Sequence, residues 1–434
     1  MTERASRVTA IDVAESFFRS PRFSTALSLA IIGTEFGSLL LQQLIGWPGL
    51  LGALSTLVVL ATISLLARRH DIEWHGLLPI SLLVFVGWAA ASVFWSQYGW
   101  ATLGSVVYFG AVTMLGIYVA LVRDTIQIAR AFGDVLRLAL ALSIGLEIFS
   151  GILIDMPLQF LFINGNIADL GPIQGIFGTR DELGVVALIA LITFGTELRT
   201  KSVPRWTGIG SVAIAAISLF FTRSPVAIGA LVVVLFAAGA LFLLRRLSES
   251  RKRFGQVVLL ALSIAAAATA WGLRTQLISI FSASSELNVR LRLWAQMRAL
   301  IPFHELEGWG WVGHWRKDVI PFTSFLNYYD RTPTSGLNAY LDVWLQLGVI
   351  GLLAFLALLA LTFVRSWLLA SRQRSFVYAW PALVLVALLI TSLAESTILV
   401  EFGWLTFVVC SVKAARELSW RKAFAATRPM GPVV

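Results

Sequence analysis

An all-α, polytopic membrane protein of about twelve transmembrane helices, with one large extracytoplasmic loop between helices nine and ten, is the fold class this sequence predicts. Three observations predict it. Only 13% of the 434 residues are charged and 58% are hydrophobic, whereas soluble domains carry about 25% charged residues. The apolar runs approach the roughly 20 residues that a helix needs to cross a bilayer. The connections between them alternate between rich and poor in Lys and Arg, the pattern that orients helices in a membrane.

The apolar runs place helices at about 24–42, 50–67, 77–94, 103–122, 133–154, 183–198, 206–221, 226–244, 256–272, 338–364, 376–394 and 398–414. Residues 1–23 form a polar leading segment, 24–272 the first nine helices, 273–337 the large loop, 338–414 the last three helices and 415–434 a tail. The first run lacks a small-x-small site at its end, so it reads as a retained helix rather than a cleaved signal. Between the fifth and sixth helices, glycine and proline in 171–184 predict an irregular, re-entrant connection. Within the loop, 288–300 reads as a helix lying in the interface, with Trp294 as its headgroup anchor.

Placing both termini in the cytoplasm puts 25 of the 34 basic residues on that side. Nine remain opposite: Arg180, Arg223, Arg274, Arg290, Arg292, Arg298, Arg316, Lys317 and Arg331. The net charge of +10 is therefore assigned to orientation, not to nucleic acid. The nine oppose that rule and call for another cause. Arg223, in the short turn 222–225, is held close to membrane depth, where an ionisable group needs a partner or a polar cavity. Cys410 is the single cysteine, so no intrachain disulfide can form.

Four groups could carry chemistry. His70, Asp71, Glu73 and His75 have metal-ligand types but nothing nearby completes a coordination sphere, so they read as a solvated loop. Glu35 and Glu147 lie inside apolar runs, as proton relays or as hydrogen-bonded structural groups. Arg180, Arg223 and Arg290, with Arg292 or Arg298, offer bidentate, permanent charges suited to a lipid-linked pyrophosphate, or else snorkel to headgroups. His304, His314, Glu305, Glu307, Asp330 and Asp342 are candidate bases in or beside the loop. The chain has no Walker-type loop and no Asp-x-Asp on the outer side, so neither an ATP site nor a metal-bound nucleotide sugar is expected, and no metal or other cofactor.

The chain resembles the O-antigen ligase / polysaccharide polymerase superfamily of bacterial membrane glycosyltransferases. The resemblance lies in the twelve-helix plan with its large loop and in a series of motifs. Ser92-Val-Phe-Trp-Ser96 is similar to the family's Trp-Ser, and Gly175-Ile-Phe-Gly-Thr-Arg-Asp-Glu-Leu-Gly184 to its Gly-x-Phe-x-x-(Lys/Arg)-Asn-x-Leu segment. Thr222-Arg-Ser224 resembles its Ser-Arg turn, and Arg290-x-x-x-Trp294 with Pro302 and Gly308-x-Gly310 its Arg-x-x-x-Trp…Pro…Gly-x-Gly run. Asn338-x-Tyr-Leu341, Gly348-x-x-Gly351 and Glu395-Ser396 fit later signatures. One position departs. Where the family has His-Asn before the tenth helix, with the histidine as the acceptor-activating base, this chain has Leu337-Asn338. His314 and Asp342 are the substitutes, Asp342 lying one turn after Asn338.

The resemblance implies a protein of the cytoplasmic (inner) membrane that transfers a glycan from a polyprenyl-pyrophosphate carrier to a sugar hydroxyl of a glycan or glycolipid acceptor. Arg180, Arg223, Arg290 and Asn338 would bind substrate and His314 or Asp342 would be catalytic. The alternatives are a polymerase of the same superfamily, a polysaccharide or lipid transporter, or a membrane scaffold. Transport would favour polar-lined helices and a small loop, unlike this pattern. Reporter fusions at Glu249 and Asp318 are expected to report opposite compartments, and one shared compartment would overturn the orientation.

Overall fold

In the computed structural model, residues 10–69, 78–168, 170–273, 276, 284–325 and 333–417 are described. Their helices are α1 (Ala10–Arg19), α2 (Pro21–Phe36), α3 (Ser38–Ala67), α4 (Ile80–Ala91), α5 (Gly99–Val122), α6 (Thr125–Ile148) and α7 (Arg180–Thr200). Then follow α8 (Arg205–Thr222), α9 (Pro225–Arg246), α10 (Glu249–Gly272), α11 (Ser284–Leu300), α12 (Ala339–Arg372), α13 (Ala379–Thr391) and α14 (Glu401–Glu417). Each of the twelve predicted segments overlaps helix, but the first, 24–42, runs from α2 across Gly37 into α3, which it shares with the second, so the predicted connection 43–49 falls inside α3. Seven helices among the described residues have the length and composition to cross a membrane, so the all-α membrane class holds while the number of crossings does not follow from helix length alone.

Several helices start where local chemistry supplies a cap. Ser20 and Ser224 each accept a backbone N–H three residues on, and each is followed by proline at the first helical position. Thr179 caps α7 through the N–H of Glu182, and Asp124 with Gln127 forms a capping box at α6. Asn338 caps α12, accepting from the N–H groups of Tyr340 and Leu341.

Two helices are broken by glycines in left-handed backbone, α3 at Gly46 and α12 at Gly348. The second break is where the loop joins the bundle. Trp309 N–H donates to the Leu345 carbonyl (3.1 Å) and Gly310 N–H to that of Gln346 (2.8 Å). Val349 N–H donates to the Glu305 carbonyl at 2.8 Å. The two backbones pass so closely that a Cβ on Gly308 would overlap the Gln346 carbonyl, and one on Gly348 the Leu306 carbonyl. The segment after α4 covers the crossing. Trp88 and Trp95 donate indole N–H groups to the carbonyls of Leu347 (2.9 Å) and Glu307 (3.1 Å), and the Ser92 hydroxyl accepts from Trp311 N–H (3.0 Å).

Trp311 is driven from this crossing into the helical core, 1% exposed, against Phe85 and Phe109, which also pack on Trp404. Burying such an aromatic is worth several kcal/mol. A second, smaller apolar cluster lies within the loop region, where Leu293 and Met297 of α11 meet Val312, Trp315 and Phe322. The predicted interfacial helix is thus a helix, but Trp294 is half-buried and donates to the Gly336 carbonyl (3.0 Å) instead of standing free as an anchor.

Gly308→Ala and Gly348→Ala are each expected to cost about 2–3 kcal/mol or more, combining overpacking with a left-handed backbone. A lowered thermal midpoint in detergent checks this, and wild-type midpoints for both would show that the crossing tolerates side chains.

Candidate functional site

The loop ends of α7, α9, α11, α12 and α14 converge beside this crossing. Gln346, fully buried on α12, shapes the turn ahead of His314. Its Oε1 accepts from Val312 N–H (2.8 Å) and Gly313 N–H (3.0 Å), and its Nε2 donates to Asp342 Oδ1 (2.7 Å). Gly313 takes left-handed backbone and turns the chain there. His314 is delivered half-exposed, with Nε2 3.2 Å from Glu401 Oε1 at the start of α14. Burial, the largest single influence, disfavours an imidazolium, but the charge and hydrogen bond of Glu401 together with the charges of Glu182 and Asp342 outweigh it, and the His314 pKa rises to about 8. With Nε2–H donating to Glu401, Nδ1 becomes the basic nitrogen of the ring.

Asp342 lies in the same region but differs in access. It is 1% exposed, and both carboxylate oxygens are engaged. Oδ1 accepts from Trp315 Nε1–H (2.8 Å) and from Gln346, and Oδ2 from Gly336 N–H (2.9 Å). These bonds tie the loop to α12 at two points. Asn338 spends its amide similarly, capping α12 through Oδ1 and donating through Nδ2 to the Leu393 carbonyl (3.0 Å). Leu337 takes left-handed backbone, and its side chain packs against the apolar cluster of the loop.

The arginines divide into two kinds. Arg290 is 8% exposed and lies between two carboxylates, Glu395 Oε1 at 2.5 Å and Asp181 Oδ2 at 3.2 Å, while its Nε donates to the Ala394 carbonyl (3.2 Å). Burial alone would discourage its charge. Glu395 first and Asp181 second outweigh burial and hold the guanidinium pKa above its ordinary value. Arg290 is therefore neutralised within the protein and does not present a free charge. Arg223 is exposed, in left-handed backbone between α8 and α9, and Arg180 is half-exposed at the first position of α7. Asp181 draws these two segments together, since it also accepts a hydrogen bond from the Ser224 hydroxyl. Gly184 permits the approach, because a Cβ there would press on Ala227 and Ser224. Two capped helix N-termini, of α7 and α9, thus lie side by side with an arginine at each. Backbone N–H groups at such ends, with guanidinium groups beside them, favour an anion.

Other sequence candidates fall elsewhere. Arg292 and Arg298 are exposed on α11, so Arg298 does not converge with the buried Arg290. His304 pairs with Glu307 (2.9 Å) and packs on Trp309. Glu147 accepts from the N–H groups of Gln174 (2.8 Å) and Gly175 (3.0 Å), a structural role that anchors the irregular connection. Glu35 is 1% exposed with both oxygens unpartnered among the described residues. The cluster from His70 to His75, Arg274, Asp330 and Arg331 lie outside the described residues. No group of three or more His, Cys, Asp or Glu among the described residues has the arrangement to hold a metal ion.

Residues 210–356 match the family model for O-antigen ligase. No curated protein matches the chain. The matched stretch carries Arg223, Arg290, His314, Asn338 and Asp342, while Arg180, Glu395 and Glu401 lie outside it. The match supports the O-antigen ligase and polymerase superfamily, a class of membrane enzymes of glycosyltransferase type.

Removing one partner of a buried ion pair costs about 3–5 kcal/mol. Arg290→Ala is therefore expected to lower the thermal midpoint and the yield of folded protein sharply, while Arg223→Ala leaves both unchanged. Equal stability of the two variants would contradict a structural role for Arg290.

Proposed function

We propose that this chain is a membrane glycosyltransferase of the O-antigen ligase type, acting at the outer face of the cytoplasmic membrane with both termini in the cytoplasm. The donor is a glycan on polyprenyl pyrophosphate, and the acceptor is a sugar hydroxyl of a glycan or glycolipid. A polymerase of the same superfamily would use the same site with a growing chain as acceptor. The observation that carries the reading is the meeting of two helix N-termini and two accessible arginines beside a carboxylate-held histidine.

Arg180 and Arg223 grip the pyrophosphate, and their charge, with the helix ends, favours the negative charge that grows on the leaving group. His314 takes the proton of the acceptor hydroxyl at Nδ1, while Glu401 fixes the ring and supports the imidazolium that forms. The acceptor oxygen bonds to the anomeric carbon as the bond from that carbon to the pyrophosphate oxygen breaks, with inversion. The bonding pair departs on the polyprenyl pyrophosphate. Arg290, Asp342, Gln346 and Asn338 position these groups. Arg290 acts through Asp181, and Asp342, with both oxygens engaged, is assigned to holding the loop rather than to proton transfer.

Transfer of a labelled glycan from polyprenyl pyrophosphate by the purified protein tests the reading. Arg180→Ala and Arg223→Ala are each expected to reduce transfer about tenfold to a hundredfold, since a charge-assisted contact is worth about 1.5–3 kcal/mol. Lysine at either position should restore only part, and Arg331→Ala serves as a control that keeps activity. Silent arginine variants would move the donor site elsewhere.

The same assay has a pH signature. His314 is the base only when deprotonated, so transfer should rise with pH through about 8. Glu401→Gln removes the charge that stabilises the imidazolium and should shift this rise down toward about 6.5. A rise that stays in place in Glu401→Gln, or survives in His314→Ala, would remove His314 from that role.

A further inference from the structure

Beside the histidine pair, three oxygen-bearing side chains from three helices lie within interaction range of Glu401 at the start of α14: Glu35 in the last turn of α2, Ser38 at the start of α3 and Tyr108 on α5. Phe36 stacks on Phe402 at 4.9 Å and so brings the end of α2 against the start of α14. Glu35 and Tyr108 each interact electrostatically with Glu401 and with one another, and the Ser38 hydroxyl is within hydrogen-bonding reach of Glu401. Yet both oxygens of Glu35 and the hydroxyl of Tyr108 are buried and make no hydrogen bond among the described residues.

Glu401 on α14, Glu182 on α7 and Asp342 on α12 act electrostatically on His314, while the charge that acts on Glu35 is that of Glu401. Glu35 also sits at a helix C-terminus, whose carbonyl end favours positive charge. A buried carboxyl group must be neutralised, by a proton or by a compensating cation. The donors here are carboxylates and hydroxyls, without sulfur, and an all-oxygen set at a helix break suits a hard monovalent cation better than a transition metal.

We propose that Glu35, Ser38, Tyr108 and Glu401 form a binding site for a small monovalent cation of the sodium class, beside the His314–Glu401 pair. The bound ion neutralises Glu35 and clamps the end of α2 and the starts of α3 and α14 to the body of α5. The site does not depend on the glycan-transfer reading, because it is defined by binding and stability without substrate.

The test uses purified full-length protein in detergent at fixed pH, with sodium, potassium or choline chloride at constant ionic strength. Wild type is expected to take up radioactive sodium saturably and to show a thermal midpoint at least about 2 °C higher in sodium than in choline. E35Q, an uncharged isostere, should lose both uptake and the sodium-dependent shift while remaining monodisperse. Y108F should weaken uptake, and decides the matter if E35Q fails to fold. Equal midpoints in all three salts without uptake, or full uptake by E35Q or by Y108F, would overturn the proposal. So would a midpoint shift reproduced in choline merely by lowering the pH, since a proton alone would then satisfy Glu35.

Discussion

A loop that enters a broken membrane helix must bring its own hydrogen bonds, because hydrocarbon offers none. The crossing of 305–310 with 345–350 meets that demand, with backbone N–H and carbonyl groups of each strand of chain satisfying the other. The histidine side of the candidate site hangs from this point. It drives Trp311 into the core, it places Gln346 to shape the turn before His314, and it fixes the start of α12, from which Asp342 holds Trp315 and Gly336. The requirement is steric as well as polar. Two chains this close leave no room for a Cβ at Gly308 or Gly348, and the tryptophans after α4 then seal the carbonyls that remain.

Charge at the loop end is divided by burial. A guanidinium taken out of water loses several kcal/mol of solvation, so it persists inside only with close counter-charges. Arg290 has two, and the same pairing that secures it removes it from competition for an anionic substrate. Arg180 and Arg223 remain nearer to solvent, where association with a phosphate costs less desolvation. Asp181 connects the two regimes, since it touches both Arg290 and Ser224. A paired interior and a more accessible rim are thus built from the same residue type.

Much of the fold was legible because hydropathy and caps are local signals. The apolar runs located the helices, and the Ser-Pro pairs at 20–21 and 224–225 mark starts that the structure keeps. The glycine and tryptophan motifs were visible too, although their reason, a backbone crossing, involves residues some 40 apart. What the sequence hid were partnerships over long separations. Glu401 lies 87 residues from His314 and reads as an acid at the edge of an apolar run. Glu395 was visible in a motif without its partner Arg290, and Gln346 looks like any polar residue in a helix. Asp342 and Asn338 were read as chemically available; only coordinates reveal that every oxygen of one and both ends of the other are spoken for.

The Arg290 triad also has a bearing on how the molecule is made. Asp181 precedes Arg290 by 109 residues in the chain, and Glu395 follows it by 105. During synthesis, the guanidinium emerges with its first counter-charge already laid down and its second still untranslated. The loop can therefore find a provisional berth on α7 early, but it locks only when the segment ahead of α14 arrives. Chains cut short of that segment would carry a half-compensated charge at the heart of the assembly, a mark by which quality control could tell an unfinished molecule from a finished one.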